Sequence, residues 1–231
     1  MKNVRQHLEK LRKISRKKYH PLIHKIHKKH KISKKTLFYV KEYGQHSNVP
    51  RTIIRESIKI LMLASIISSF GGLSLEHIKT VFVSIYPLII LLPALNDMVG
   101  DYGTIVSSRF STMLHEGKIK KDCWKNKELK KLLVQIIIIS LLTAVFSSII
   151  AMIISSLSNY AVGAATVYKI FSIAIIDVIF LVSTLFLISV YAGFYFFRKK
   201  EDPNNFLIPI TTSIADFGNM IILSVLIMLF F

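Results

Sequence analysis

Asp202-Pro203-Asn204-Asn205-Phe206-Leu207-Ile208-Pro209-Ile210-Thr211-Thr212-Ser213-Ile214-Ala215-Asp216 leads into a stretch of about 26 overwhelmingly apolar residues that runs to Phe231. A segment of that length and composition is suited to cross a bilayer as a helix, and Asp216 lies about ten residues inside it. At roughly 1.5 Å of rise per residue the carboxylate sits about 15 Å deep, near the middle of a hydrocarbon layer roughly 30 Å thick. Ionisable groups at that depth are costly and rare unless they face a cavity, a partner or an ion. The segment therefore points both to a membrane fold and to the residue around which function is sought.

The rest of the chain agrees with a membrane fold. Of its 231 residues 52% are hydrophobic, and runs such as Leu132 to Leu157 exceed what a soluble core of this size requires. Counting apolar windows gives five spans, at about 57–73, 79–100, 132–157, 162–197 and 206–231. The second is expected to continue as one helix to about His115, because no proline follows Pro93 and only Gly103 interrupts. The fourth is long enough to tilt, and it has no turn signal that would divide it. The fold class is thus all-α, a polytopic membrane protein with five transmembrane helices.

Charge sets the expected orientation. The formal net charge is +18, and residues 1 to 60 hold 18 Lys/Arg against three acids, Glu9, Glu42 and Glu56. Seven lysines lie between Lys118 and Lys131, and Arg198-Lys199-Lys200 follows the fourth span. The connections Gly71 to Lys79 and Ser156 to Gly163 carry little positive charge. Positive loops stay cytoplasmic. Alternation then places the N-terminus inside and the C-terminus outside a cell membrane, with residues 1–50 a basic cytoplasmic tail and 51–231 the transmembrane domain. No apolar core precedes Ile58, so the tail is not a secretory signal. Pro50 marks a break before a helix starting near Arg51. Five spans do not divide into equal halves, so a path built on repeated halves requires two chains.

Four acids fall within or beside the spans: Asp97, Asp101, Asp177 and Asp216. Asp97 and Asp101 are four apart and share a helical face, with Asn96 beside them and Pro93 one turn earlier. Such oxygen donors suit hard divalent cations, magnesium in particular, which keeps several waters and uses one or two carboxylates. The plainer account of Asp97 or Asp216 is a carboxylate satisfied by a neighbouring Ser or Thr. For Asp177, eight residues from Lys169, it is an interhelical hydrogen bond. Gly100 to Thr112 sets small and hydroxyl residues along one helix, allowing close packing or a polar path, and Arg109 is read either as bracing a carboxylate or as an interfacial anchor. His20, His24, His27 and His30 would stack on one side of a helix, but intervening lysines oppose a cation and favour a solvated basic face. Cys123 is the sole cysteine, which excludes an intrachain disulfide. No phosphate loop, zinc-protease helix, nucleophile elbow or dinucleotide fingerprint is present, so enzymatic chemistry and a resident cofactor are not expected.

Two blocks carry a resemblance to the MgtE-type divalent-cation transporter family, in particular to its archaeal members and its eukaryotic solute-carrier relatives. Pro93-Ala94-Leu95, Gly100-Asp101 and Ser108-Arg109-Phe110-Ser111-Thr112 are similar to a family pattern of Pro-Ala-Leu, Gly-Asn and Ser-Arg-Leu-Ser-Thr. Asp202-Pro203-Asn204-Asn205-Phe206, Ile208-Pro209, and Thr211-Thr212 through Asp216 are similar to Asp-Pro-Asp-Asn, Ile-Pro and a helix-borne Asp. The resemblance covers about residues 50–231. It implies a homodimer with the pore at the subunit interface, lined by the second and fifth spans, and magnesium or another divalent cation as transported substrate. Asp216 matches the pore acid that holds the hydrated ion, and Asp202 an acid near the cytoplasmic mouth. Asp101 stands where the pattern has Asn, adding charge to the pathway. The large acidic cytosolic domains of bacterial members are replaced here by a basic tail, so their magnesium-sensing gate is not carried over.

The ion-contacting set expected from these arguments is Asp216, Asp97, Asp101, Asn96 and Asp202. A rival reading is a membrane-anchored protein whose basic tail binds nucleic acid or anionic lipid, but an anchor has no use for Asp97 and Asp216. The tail should bind anionic vesicles while a salt increase releases it, because exposed charges are screened over about 8 Å at physiological ionic strength. Cosedimentation with anionic vesicles that salt leaves unchanged would contradict this, as would cleavage of residues 1–50 by external protease on intact cells.

Overall fold

The computed structural model describes residues 49–119, 123–160, 162–199 and 201–231. The basic tail up to residue 48, with the set His20, His24, His27 and His30, lies outside them. Among the described residues the chain is all-helical: α1 (Val49–His77), α2 (Lys79–Ser84), α3 (Tyr86–His115), α4 (Lys127–Leu157), α5 (Ala164–Arg198) and α6 (Pro203–Phe230), with a 3-10 turn at Cys123–Lys125. Five of these, all but α2, are long and apolar enough to cross a membrane. The five-span expectation therefore holds, with α5 one unbroken helix.

The expected boundaries shift in two places. The second span does not begin at residue 79, because the chain breaks at Ile85 (φ −109°, ψ 80°) between α2 and α3. Pro87 in the first turn of α3 explains the break: it has no N–H to donate and fits where that donor has no intrahelical acceptor. From there α3 passes through Pro93 to His115, as anticipated. The connection expected at Gly71 to Lys79 is instead mostly the last turns of α1. A Cβ on Gly71 would lie 2.9 Å from Met220 Sδ and 3.2 Å from Phe217 Cα, so this glycine lets α1 lie close on α6.

Local chemistry fixes the helix ends. Asn126 caps α4 by accepting from the amides of Glu128 (2.8 Å) and Leu129 (3.2 Å), and Asp202 caps α6 by accepting from Asn204 N–H (3.1 Å). α3 closes on left-handed Gly117 (φ 72°), with Lys118 N–H bonded to Met113 O and Gly117 N–H to Leu114 O. α4 closes in the same way on Asn159 (φ 61°), with Tyr160 N–H bonded to Ser155 O. Both are Schellman closures, which favour Gly or Asn at that position.

The core is formed by α3, α5 and α6, with α4 against α3 and α5, and α1 along α6. Leu88, Leu95, Val99, Phe110, Ala174, Val178, Leu185 and Leu223 are fully buried, whereas α1 leaves Ile54, Met62, Ile66 and Phe70 exposed, as a lipid-facing surface requires. Ser107 Oγ lies 3.1 Å from Ser189 Oγ and 3.3 Å from Thr211 Oγ1, all three fully buried, so the hydroxyls of Gly100 to Thr112 serve partly as a packed polar seam between α3, α5 and α6.

The ends of the bundle differ in chemistry. At one end His115 lies 3.6 Å from Asp202 and 5.2 Å, ring to ring, from Phe197, while Ser57 donates to Asn205 O at 3.2 Å. That end gathers the start of α1, the lysine-rich segment after α3 and the basic end of α5. At the other end Tyr160 donates to Ser84 O, and its ring lies 5.7 Å from that of Tyr86. A Cβ on Gly193 would stand 2.6 Å from Phe110 Cε1. Gly193→Ala should therefore destabilise the protein by about 1–3 kcal/mol, read as a lowered melting temperature in detergent and partly restored by Phe110→Leu. Unchanged melting of the single variant would contradict this packing.

Candidate functional site

Asp216 on α6 is reached from two other helices. Its Oδ1 accepts from Asn96 Nδ2 on α3 at 2.8 Å, and its Oδ2 accepts from Ser68 Oγ on α1 at 3.0 Å. Asn96 is held in turn: its Oδ1 accepts from Asn219 Nδ2, one turn beyond Asp216 on α6, at 3.1 Å. Asn219 is fully buried, whereas Asp216, Asn96 and Ser68 are each half-buried. An ionised carboxylate offers about four lone-pair positions, and two are used. Asp216 is thus oriented by uncharged donors, with no cationic side chain on it among the described residues and with acceptor capacity to spare. The account in which a neighbouring hydroxyl satisfies it is half right, since Ser68 serves one oxygen.

Asn96, expected beside Asp97 and Asp101, turns to Asp216. Asp97 and Asp101 do not converge on Asp216 within one chain: they are exposed on the outward side of α3, and neither makes a hydrogen bond or ion pair among the described residues. Pro93, Ile105, Arg109 and Thr112 continue the same exposed stripe. Asp202 is buried at the N-terminal end of α6, fourteen residues and therefore about 21 Å along the helix from Asp216. There it caps α6 and lies 3.5 Å from Ser111 Oγ, with His115 beyond. Arg109 belongs to the exposed stripe of α3. It lines a groove of about 580 Å³ between α3 and α4 with Glu116, Glu128, Lys131 and Gln135. In that groove the Glu116 carboxylate, 2.9 Å from Lys118 Nζ, raises the Lys118 ammonium above its ordinary range.

Asp177 departs from its plainer account. It is fully buried on α5, and neither oxygen has a hydrogen-bond partner. Lys169 turns away from it, placing Nζ 4.6 Å from the centre of the Phe231 ring. Ser68 and Asn219 were not distinguishable in the sequence. Ser68 is one of several serines on an apolar helix, and only the α1–α6 packing assigns it to Asp216. Asn219, three residues after an intramembrane acid, carried the one available signal, an amide on the same helical face.

A membrane protein with five spans and a carboxylate held mid-span by polar side chains from three helices has the build of an ion transporter rather than an enzyme. A family model for MgtE, divalent cation transporter, matches residues 92–226, and the chain belongs to that family. No curated protein and no solved structure matches it. The protein is accordingly a divalent-cation transporter of multi-pass membrane type, with the cation as cargo.

Asn96→Leu leaves Asp216 Oδ1 and the buried Asn219 Nδ2 without partners. It should destabilise the fold by about 1–3 kcal/mol, and Ser68→Ala, with one bond to a less buried group lost, by less. Equal melting temperatures for Asn96→Leu and wild type would show that this chain of hydrogen bonds is not formed.

Proposed function

We propose that the protein carries magnesium across the membrane as a homodimer, with Asp216 holding the hydrated ion in a pathway lined by α3 and α6 at the subunit interface. One observation carries this reading: Asp97 and Asp101 are exposed and unpartnered on an apolar helix, next to a half-open Asp216. Against lipid such a stripe is costly, with about 2.5–3.5 kcal/mol per central acid on insertion scales. Against a second copy it becomes the wall of an aqueous path. Two-fold pairing brings two copies of Asp216 around one axis, and a divalent ion there offsets their repulsion.

In this reading magnesium retains most of its waters. Asp216 accepts hydrogen bonds from them, while Asn96 and Ser68 fix the carboxylate without adding charge. Asp97 and Asp101 raise the local cation concentration along the approach. Asp202 marks the mouth, its carboxylate also capping α6. Residues 51–231 form the transport domain, and 1–50 a basic tail at the cytoplasmic surface that engages anionic lipid. The gathering of both basic loops and the start of α1 at one end supports an inside N-terminus and an outside C-terminus.

Flux into proteoliposomes, with magnesium, manganese, cobalt, calcium and zinc in competition, tests the reading. Asp216→Asn should lower magnesium flux at least tenfold while the dimer stays folded, since charge is removed at nearly constant volume. A well-folded variant that transports at the wild-type rate would remove Asp216 from the pathway.

A further inference from the structure

The buried acid that this pathway does not use is Asp177. Its side chain is fully buried, and both oxygens lack partners. Contacts along α5 fix its level. Ser189 faces Ser107, and Leu185 faces Gly103, so α3 and α5 run in the same direction in matched register. Two turns further back, that register sets Asp177 level with Leu95 and Asn96. From the other side, Leu181, one turn from Asp177 on the same face of α5, packs against Gly218, the residue before Asn219. Asn219 Oδ1 is itself buried and without a partner. The unsatisfied oxygens of Asp177 and Asn219 thus lie within about one helical turn of each other's level, and Asn219 belongs to the hydrogen-bonded chain that ends on Asp216.

An ionised carboxylate in that position has neither a donor nor a countercharge, and such groups are among the most costly to bury. On α3, Asp97 is exposed on the outward side, and Tyr86 and Tyr102 lie about two turns away, the latter bonded to Thr143 at 2.6 Å. On α4 no titratable side chain occurs from Leu132 to Leu157. On α6 the only one is Asp216. On α5 the nearest are Tyr168, which is exposed, and Lys169, which is drawn to the Phe231 ring. A metal ion is equally unsuited, since hard cations take about six oxygens and the neighbours Ile173, Ala174, Val178 and Leu181 supply none. A proton alone satisfies the group: the neutral acid gains an O–H donor, matching the acceptor left open on Asn219.

We propose that Asp177 is a proton-binding site coupled to the divalent-ion site, so that cation binding at Asp216 releases the Asp177 proton to water. The exchange is M²⁺ plus Asp177–COOH giving bound M²⁺ plus Asp177–COO⁻ and H⁺, with the arriving positive charge stabilising the new carboxylate. By linkage the proton opposes the ion, so lowering the pH weakens ion binding. This inference rests on Asp216 as the ion site.

The test is magnesium binding to the purified full-length dimer in weakly buffered detergent, with proton release and the infrared carbonyl band of protonated carboxyl groups followed together. Release approaching about one proton per bound ion is expected, with affinity falling up to about tenfold per pH unit across the titration of Asp177. Asp177→Asn should bind magnesium with no release and no pH slope. Asp177→Glu, which keeps a proton site should the amide variant not fold, should shift the infrared band that magnesium abolishes. Magnesium binding by the wild type with no proton release and no carboxyl band would overturn the proposal and leave Asp216 in place. So would release that persists in Asp177→Asn, or an affinity set by sodium instead of pH. Magnesium binding unaffected by Asp216→Asn would remove the ion site and this coupling with it.

Discussion

A carboxylate in the middle of an apolar helix must be held by the protein, because the bilayer offers it nothing, and the arrangement of α1, α3 and α6 follows from holding Asp216. Asn96 and Ser68 donate one hydrogen bond each to its two oxygens, and Asn219 fixes Asn96. None of these donors carries charge. A lysine or arginine in their place would neutralise Asp216, whereas neutral donors orient the group without compensating its charge. The helices come close enough for these short side chains to meet because Gly71 and Gly103 have no Cβ: at Gly71 it would meet Met220 and Phe217, and at Gly103 it would stand 3.1 Å from Thr211 Cβ.

The same economy separates the two faces of α3. One face enters the core through Leu88, Leu91, Leu95, Val99, Val106 and Phe110, all essentially inaccessible. The other presents Asp97, Asp101 and Arg109 to the outside of the single chain. A helix that is well packed on one side and acidic on the other, within an apolar stretch, is complete only when something polar meets the acidic side. On the proposed reading that is the water-filled seam of a dimer. Membership of the MgtE divalent-cation transporter family, shown over residues 92–226, supports that reading.

Much of this was legible in the sequence. Five long apolar runs separated by loops of alternating charge are strong signals, because the bilayer allows few spanning structures other than helices. Asp216 and Asn96 stood out because polar groups are rare in such runs. What the sequence left out depends on packing between distant segments. The break at Ile85 comes from Pro87, which hydropathy alone does not register, and the helical course through Gly71 is set by its contact with α6. Ser68 and Asn219 are ordinary residues in isolation and acquire a role only through neighbours more than a hundred residues away. For Asp177 an interhelical hydrogen bond was the plain expectation, but no donor from a neighbouring helix meets it among the described residues.

The central claim, an ion held between two copies of Asp216, is tested most directly by anomalous diffraction from crystals of the dimer grown with manganese. The account predicts a peak on the two-fold axis, close enough to both Asp216 carboxylates for a water ligand to bridge them to the metal, with Asp97 and Asp101 lining the same cavity. A peak confined to another site, or a dimer that turns Asp216 and the acidic face of α3 toward lipid, would contradict it.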